Sequence, residues 1–167
     1  MKKFIATFGL ILGLALFGVQ ITHASPPAHY MGFSIGSADD DVLSESDTGF
    51  KYYAGLTLNK NLGFELSYVD LGQYLDGTLE QYGIAFQVVG YLPVSTNFNL
   101  IGKAGIFSWT VDDDTFYAYN DGNDLTYGLG VQYDFDNRIS IRGEWEQFSD
   151  VAGGDVSLVS AGLLYAF

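Results

Sequence analysis

The sequence predicts an all-β fold, an eight-stranded antiparallel up-and-down transmembrane β-barrel preceded by a signal peptide. Three observations predict it. Apolar and polar residues alternate with a period of two in eight segments after Pro27. Most segments reach about nine to eleven residues, the length that a tilted strand needs to cross a bilayer. Charged residues inside the segments fall on the face opposite the large apolar side chains, so we expect the apolar face to meet lipid.

The first residues have the three-part pattern of a signal peptide. A basic head (Met-Lys-Lys) precedes a largely apolar stretch, and Thr22 and Ala24 supply the small residues that signal peptidase requires. We therefore predict that residues 1–24 are removed and that residues 25–167 form a single barrel domain. An uncleaved membrane anchor is the weaker alternative, because the apolar stretch is shorter than the roughly twenty residues of a spanning helix.

The alternating pattern is clearest in the sixth segment. Between Leu125 and Phe135, one face carries Leu, Tyr, Leu, Val, Tyr and Phe, and the other carries Thr, Gly, Gly, Gln and Asp. The predicted strands cover residues 29–37, 49–58, 62–71, 79–92, 97–109, 125–135, 138–148 and 158–167.

Connections between these segments alternate between short and long. The short ones are rich in Asn, Pro, Ser and Asp, which favour tight turns, and cover residues 59–61, 93–96 and 136–137. The longer ones are acidic and cover residues 38–48, 72–78, 110–124 and 149–155. Transmembrane barrels have short turns on one side of the membrane and longer loops on the other. An even strand number then places both chain ends on the short-turn side.

Eight aspartates stand out in the longer connections, and we expect them to form an acidic surface outside the membrane. They are Asp39, Asp40, Asp41, Asp112, Asp113, Asp114, Asp121 and Asp124. Calcium prefers carboxylate oxygens, but neither residues 112–114 nor residues 121–124 follow the EF-hand spacing. We therefore expect no specific metal site and no cofactor.

Six charged residues within the predicted strands are expected to form a network in the lumen. They are Lys51, Glu65, Lys103, Arg142, Glu144 and Glu146. A charge facing hydrocarbon would cost about 2–4 kcal/mol near the midplane, and a buried ion is tolerated best when it is paired. A barrel of eight strands is only just wide enough for side chains to fill. Glycines on the same face, such as Gly128 and Gly130, should make room for the long charged residues, so the sequence predicts a closed lumen.

Aromatic residues near the strand ends are expected to form the two interfacial girdles of a membrane barrel. They are Tyr68, Tyr82, Phe98, Tyr133, Phe135, Trp145, Tyr165 and Phe167. The formal net charge is −13 at pH 7, so the chain lacks the basic footprint that nucleic-acid binding needs. Cysteine is absent, so stability cannot come from disulfides.

Four sequence segments carry a resemblance to a known family. They are residues 50–56 (FKYYAGL), 62–72 (LGFELSYVDLG), 141–145 (IRGEW) and 162–167 (GLLYAF). In these segments the chain resembles the OmpA-like and OmpX-like small outer-membrane β-barrels, over essentially all of residues 30–167. The resemblance covers the transmembrane barrel only, so we do not expect the peptidoglycan-binding domain of the larger relatives.

The resemblance implies a Gram-negative outer-membrane location and a polar interior network in which Glu65, Arg142 and Glu144 take part. It further implies that Tyr165 and Phe167 belong to the signal read by the barrel-assembly machinery. Outer-membrane lipid, lipopolysaccharide and that machinery are then the expected partners. The chain departs from some relatives at Gln132, where they carry an inward-facing acid.

Four functions are compatible with such a chain. The favoured one is a structural or surface-interaction barrel without catalysis, whose acidic loops either contact an unknown surface ligand or only keep the surface soluble and repel neighbouring molecules. A small gated pore is the first alternative. A lipid-modifying enzyme would need a nucleophile with a histidine base, and residues 25–167 contain only His29, near the amino end. A soluble lipocalin-like binder would need an apolar lumen with the strand charges facing water.

Overall fold

The computed structural model describes residues 29–42, 45–74, 79–113, 118–135 and 138–167 of the chain. The predicted signal peptide, residues 1–24, lies outside the described residues. Within the described part of the chain, no helix combines the length and the apolarity that a membrane crossing requires.

Eight β-strands close into a barrel in chain order. They are β1 (His29–Asp40), β2 (Glu45–Asn59), β3 (Leu62–Tyr74), β4 (Leu79–Pro93), β5 (Phe98–Asp113), β6 (Ala118–Asp134), β7 (Ile139–Val151) and β8 (Gly154–Ala166). All neighbouring strands are antiparallel, and β1 pairs with β8 from Tyr30 opposite Ala166 to Asp40 opposite Val156. The predicted fold class is therefore confirmed.

The two ends of the barrel differ in character. At the end that we call the short-turn end, β2 joins β3 and β4 joins β5, and the Phe167 amide donates to the His29 carbonyl at 2.9 Å. At the opposite end, which we call the acidic end, β1 connects to β2, β3 to β4, β5 to β6 and β7 to β8. An Asn side chain shapes the β2–β3 turn, because the Asn59 oxygen accepts from the Asn61 amide at 2.9 Å.

The strands extend further toward the acidic end than the sequence indicated. β1 continues to Asp40 instead of ending at residue 37, β5 reaches Asp113, and β6 begins at Ala118 instead of residue 125. The prediction of loop positions is therefore wrong for six aspartates, which lie in strands: Asp39, Asp40, Asp112, Asp113, Asp121 and Asp124. Asp41 lies in a turn, and Asp114 falls outside the described residues.

The reason for this difference is that backbone pairing continues after the apolar alternation has ended. Thr110 lies opposite Asp121 and Val111 opposite Asn120, so the ladder between β5 and β6 is unbroken there. Hydrogen bonds between strands depend on the backbone, whereas the alternation of side chains reports only which face meets lipid. The point at which the outward side chains become polar therefore marks the edge of the membrane-spanning part, not the end of the strand.

The hairpin of β5 and β6 rises beyond β7. The part of β6 from Ala118 to Leu125 pairs with β5 on one side. On its other side, β6 pairs with β7 only between Thr126 and Asp134. Among the described residues, the part of β6 nearest the acidic end, residues 118–125, therefore has one unpaired backbone edge.

The large apolar side chains point outward, as the sequence predicted. Leu125 and Leu129 are each 68% exposed and Leu163 is 60% exposed, although all three are leucines in regular strands. Residues of the alternate set, such as Lys51 and Glu65, are buried in the lumen. This arrangement is the reverse of a soluble barrel and suits a hydrocarbon solvent.

Candidate functional site

Strand geometry brings the six predicted lumen charges together. β7 supplies Arg142, Glu144 and Glu146, which share one face because side chains alternate along a strand. Lys51 comes from β2, Glu65 from β3 and Lys103 from β5. Three cations and three anions thus meet inside the barrel, and the cluster as a whole is neutral.

Glu144 lies at the centre of the lumen cluster. Its Oε2 accepts from Lys51 Nζ at 2.5 Å, and its Oε1 lies 2.6 Å from Lys103 Nζ. Lys51 also pairs with Glu146, whose side chain is fully buried. Each carboxylate thus faces at least one ammonium group at contact distance, as a low-dielectric interior requires.

Glu65 anchors the other half of the cluster. Its Oε1 accepts from Lys103 Nζ at 2.5 Å, and its Oε2 accepts from Arg142 Nη1 at 2.6 Å. The Tyr30 hydroxyl donates to the same Oε2 at 2.8 Å, and the Tyr30 and Tyr91 hydroxyls are 3.0 Å apart. The lone pairs of Glu65 are therefore used by two cations and a phenol, which lowers the cost of burying it.

Neutral amides complete the hydrogen bonds around the ions. Gln132 Oε1 accepts from Arg142 Nη2 at 2.9 Å and from Arg142 Nε at 3.1 Å. Gln132 therefore satisfies donors of the guanidinium without adding a charge to the cluster. On the opposite side, Gln87 Nε2 donates to Glu146 Oε1 at 3.2 Å.

Three lumen tyrosines, Tyr30, Tyr53 and Tyr91, were not among the predicted site residues. The Arg142 guanidinium lies 5.2 Å from the ring centroids of both Tyr30 and Tyr53, within the range of cation–π attraction. Tyr53 pairs across the strands with Gly32, and a Cβ on Gly32 would overlap the Tyr53 ring. The alternation of side chains along β2 could have identified Tyr53, because Tyr53 lies two residues from Lys51 and so shares its face.

An apolar cluster fills the lumen toward the acidic end, and the sequence did not predict it. Its centre is the pair Phe107 and Phe148, whose ring centroids are 4.6 Å apart. The cluster consists of Ala38, Val69, Leu71, Ala85, Phe107, Trp109, Val111, Phe148, Val151, Val156 and Leu158, all buried. This apolar cluster therefore fills the lumen next to the ionic cluster, on the side of the acidic end.

The predicted acidic residues do not form one compact cluster. Asp39, Asp41 and Asp121 are exposed, whereas Asp40 is buried and accepts from Gln81 Nε2 at 3.0 Å. Asp124 accepts from the Trp109 indole at 2.7 Å. The side chains of Asp112 and Asp113 lie outside the described residues, as does Asp114. Among the described side chains, no group of three or more His, Asp or Glu could hold a metal ion.

The barrel is electrically asymmetric. Outside residues 1–24, the chain has five cations, and Lys51, Lys103 and Arg142 are inside the lumen. The other two, Lys60 and Arg138, are exposed at the short-turn end. Most acidic residues that are not in the lumen lie toward the acidic end, where the described residues contain no Lys or Arg.

The last residues of the chain lie at the short-turn end. Tyr165 and Phe167 are 44% and 52% exposed on the outer face. The Phe167 ring stacks on His29, with ring centroids 6.3 Å apart. The single histidine of residues 25–167 therefore lies far from the acidic end, next to the carboxyl terminus.

A closed barrel with an apolar exterior and a buried ion cluster defines the class of small transmembrane β-barrels. The model of the family described as "Outer membrane protein beta-barrel domain" matches residues 9–167, so the chain belongs to this family. This family places the protein in an outer membrane. The soluble lipocalin-like alternative is therefore wrong, because the apolar side chains face outward and the charges inward.

Solved structures of small outer-membrane barrels are similar to this one. Ail of Yersinia pestis, in complex with the heparin analogue sucrose octasulfate, has 17% identity and a TM-score of 0.57, covering 84% of this chain and 97% of its own. Neisserial surface protein A has 16% identity and a TM-score of 0.64, with coverages of 84% and 97%. OprG of Pseudomonas aeruginosa has 17% identity and a TM-score of 0.58, with coverages of 87% and 97%. At these identities the likeness shows the fold alone. No curated protein sequence matches the chain.

Proposed function

We propose that this protein is a non-catalytic membrane anchor that presents an acidic surface outside the cell to a basic polypeptide. The observation that carries the proposal is the separation of charge between the two ends of the barrel. Exposed carboxylates of Asp39, Asp41 and Asp121 lie at the acidic end, and the described residues there contain no cation to neutralise them. A surface of one sign attracts and orients partners of the opposite sign.

The filled lumen supports an anchor in preference to a pore. Ions would have to pass Glu144 and Lys103, which are in contact at 2.6 Å, and then the packed rings of Phe107 and Phe148. His29, the histidine that an esterase-like site would need, is stacked on Phe167 at the short-turn end. Both features favour a role at the outer surface.

The hairpin of β5 and β6 supports a docking role for the acidic end. Asp121 lies on the part of β6 that rises beyond β7, and that part has an unpaired backbone edge. An exposed edge offers amide and carbonyl groups to an extended segment of another chain. A basic, extended peptide would use both the edge and the neighbouring carboxylates.

Biogenesis and membrane contacts belong to the same proposal. Residues 1–24 deliver the chain as a cleaved signal peptide, and Tyr165 and Phe167 form part of the signal for the barrel-assembly machinery. Phe167 is accessible for such recognition, because the residue is 52% exposed. The outward apolar side chains contact outer-membrane lipid and, in the outer leaflet, lipopolysaccharide.

Binding of a labelled oligolysine peptide to the full mature chain in zwitterionic vesicles would test this function. We expect binding that weakens as salt rises, because the Debye length shrinks to about 8 Å at physiological ionic strength. Asp155, the second residue of β8, is also exposed at the acidic end. Replacing Asp39, Asp41, Asp121 and Asp155 by Asn should remove most of the binding.

Replacing the same four residues by Glu is the matched control, because it keeps the charge and should keep the binding. An oligoglutamate peptide should not bind. Equal binding to the Asn and Glu variants, or binding that does not change with salt, would contradict the proposal.

A further inference from the structure

At the acidic end, strands β3 to β6 form a sheet whose two outer edges are not continued by the neighbouring strands. The ladders that join these four strands run to the acidic end of each of them. In contrast, β2 pairs with β3 no further than Asp70, and β7 pairs with β6 no further than Thr126. Among the described residues, this sheet therefore has one free edge on β3 and one on β6.

The free edge of β3 is protected against pairing with another chain. A bulge between Asp70 and Gly72 interrupts the register with β4, and Gly72 has a φ of 95°. The Gly72 amide donates to Asp70 Oδ1 at 2.9 Å, and the Gln73 amide donates to Asp47 Oδ2 at 2.6 Å. Bulges and edge carboxylates are devices by which proteins prevent a sheet edge from pairing.

The free edge of β6 is regular, and its register with β5 contains no bulge. The Asp134 amide donates toward β5, and the next amide, that of Phe135, donates toward β7. Because successive residues of a strand point to opposite sides, the odd-numbered residues of β6 turn their N–H and C=O groups away from β5. Asp121 and Asn123 therefore present two amides and two carbonyls at the open edge, and within the described part of the chain no side chain caps them.

The side chains of this edge favour a basic partner and disfavour a second copy of the chain. Asp121 and Asn123 are exposed on the outer face, and Asp124 on the inner face accepts from the Trp109 indole at 2.7 Å. The described residues of the acidic end contain no Lys or Arg. Pairing two copies of this edge would bring carboxylates together, which is destabilising, whereas a basic strand would neutralise them.

The structure assigns the open edge of β6 as the site where one segment of the basic polypeptide adds as an antiparallel strand. This inference rests on the proposed function and adds to it the backbone contacts that orient the partner. Antiparallel pairing is the more stable form, and residues directly opposite each other in it share a face. The segment therefore places a basic residue at every second position, opposite Asp121 and Asn123, and the amides of these same residues face the edge.

A heptapeptide of alternating lysine and threonine is a suitable probe, because its length matches the open stretch of residues 118–125. N-methylation removes a hydrogen-bond donor from the peptide backbone and leaves the charge unchanged. Methylated lysine amides lose the donors that face β6, and an equal number of methylated threonine amides loses donors that face away. A surface that acts by charge alone would bind the two methylated peptides equally.

Asn123 provides a matched pair of variants on the protein. Asn123→Pro removes one N–H from the open edge, at an edge position where proline is tolerated. Asn123→Ala keeps that N–H and removes only the side chain with its contact to Ser108. Both variants leave the carboxylates of Asp121 and Asp124 in place.

Binding is measured with the full mature chain in zwitterionic vesicles, and heat-modifiable gel mobility confirms that each variant is folded. We expect the threonine-methylated peptide to bind like the unmethylated one and the lysine-methylated peptide to bind about tenfold more weakly or less. Asn123→Pro should weaken binding of the unmethylated peptide about two- to tenfold relative to Asn123→Ala, which is the contribution of one backbone hydrogen bond. If Asn123→Pro does not fold, the two methylated peptides decide the question alone.

Equal binding of the two methylated peptides would overturn the inference, as would equal binding to the folded Asn123→Pro and Asn123→Ala variants. Weaker binding of the threonine-methylated peptide would indicate parallel pairing and would also overturn it. In these cases, binding that is still lost when the exposed aspartates are replaced by Asn would leave the proposed function standing. Absence of binding by the unmethylated peptide would overturn both. A dimer of the native chain that Asn123→Pro disrupts would mean that a second copy occupies the edge.

Discussion

Replacing Arg142 by Gln should destabilise the barrel strongly. Arg142 donates to Glu65 Oε2 at 2.6 Å and to Gln132 Oε1 at 2.9 and 3.1 Å, and its guanidinium lies over the Tyr30 ring. Removing it leaves the lumen cluster with two cations and three anions, in a place that is screened from water.

The magnitude follows from the contacts that remain. Breaking a buried ion pair by removing one partner costs about 3–5 kcal/mol. Glu65 keeps Lys103 at 2.5 Å and the Tyr30 hydroxyl at 2.8 Å, so we expect the lower end, about 3 kcal/mol. With a urea m-value of about 2 kcal/mol/M, the unfolding midpoint should fall by about 1.5 M.

Urea unfolding in lipid vesicles, followed by heat-modifiable gel mobility, measures this shift. The control is Arg138→Gln, which removes an exposed guanidinium and should change stability by less than about 0.5 kcal/mol. Adding Glu65→Gln to Arg142→Gln restores neutrality in the lumen and should recover part of the loss. Equal midpoints for the Arg142 and Arg138 variants, or no recovery in the double variant, would refute the electrostatic reasoning.

Other changes test other parts of the molecule. Gly32→Val should cost about 1–3 kcal/mol, since its Cβ overlaps the Tyr53 ring; an unchanged midpoint would contradict this packing. Phe107→Ala should cost about 3–5 kcal/mol by leaving a cavity beside Phe148. Planar bilayers containing the native chain should show no reproducible conductance steps, and such steps would contradict the closed lumen. Phe167→Ala should slow assembly in cells with little change in unfolding, because the ring is exposed; an unchanged assembly rate would contradict its role as a signal.

The inward orientation of the lumen charges was predictable, because a charged side chain in a transmembrane strand would otherwise face hydrocarbon at a large cost in free energy. Glu65 lies between Phe64 and Leu66, and Arg142 lies between Ile141 and Gly143. Where one face of a strand must meet hydrocarbon, a charge on the alternate position has to face inward. The particular ion pairs were not predictable, because Lys103 on β5 reaches Glu65 on β3 past the intervening strand β4. That contact depends on how the closed strands are staggered.

The strand ends at the acidic end were predicted less well. The aspartates of β5 and β6 interrupt the apolar pattern, so it suggested loops where the ladder in fact continues. Phe107 and Trp109 were also missed as lumen residues, although they lie four and six residues after Lys103 in β5 and therefore share its inward face. An apolar residue is compatible both with lipid and with a packed lumen. Whether it points inward or outward can therefore be predicted only from the alternation of side chains along its strand.

By itself, the sequence determined the strand number, the fold class and which charges face inward. It could do so because period-two alternation and the cost of placing a charge in hydrocarbon act within each strand. Only the tertiary structure decided the partners within the ion cluster and the apolar cluster of the lumen toward the acidic end. Each of these joins residues on different strands, and their distances are set by barrel closure and register, which no single segment encodes.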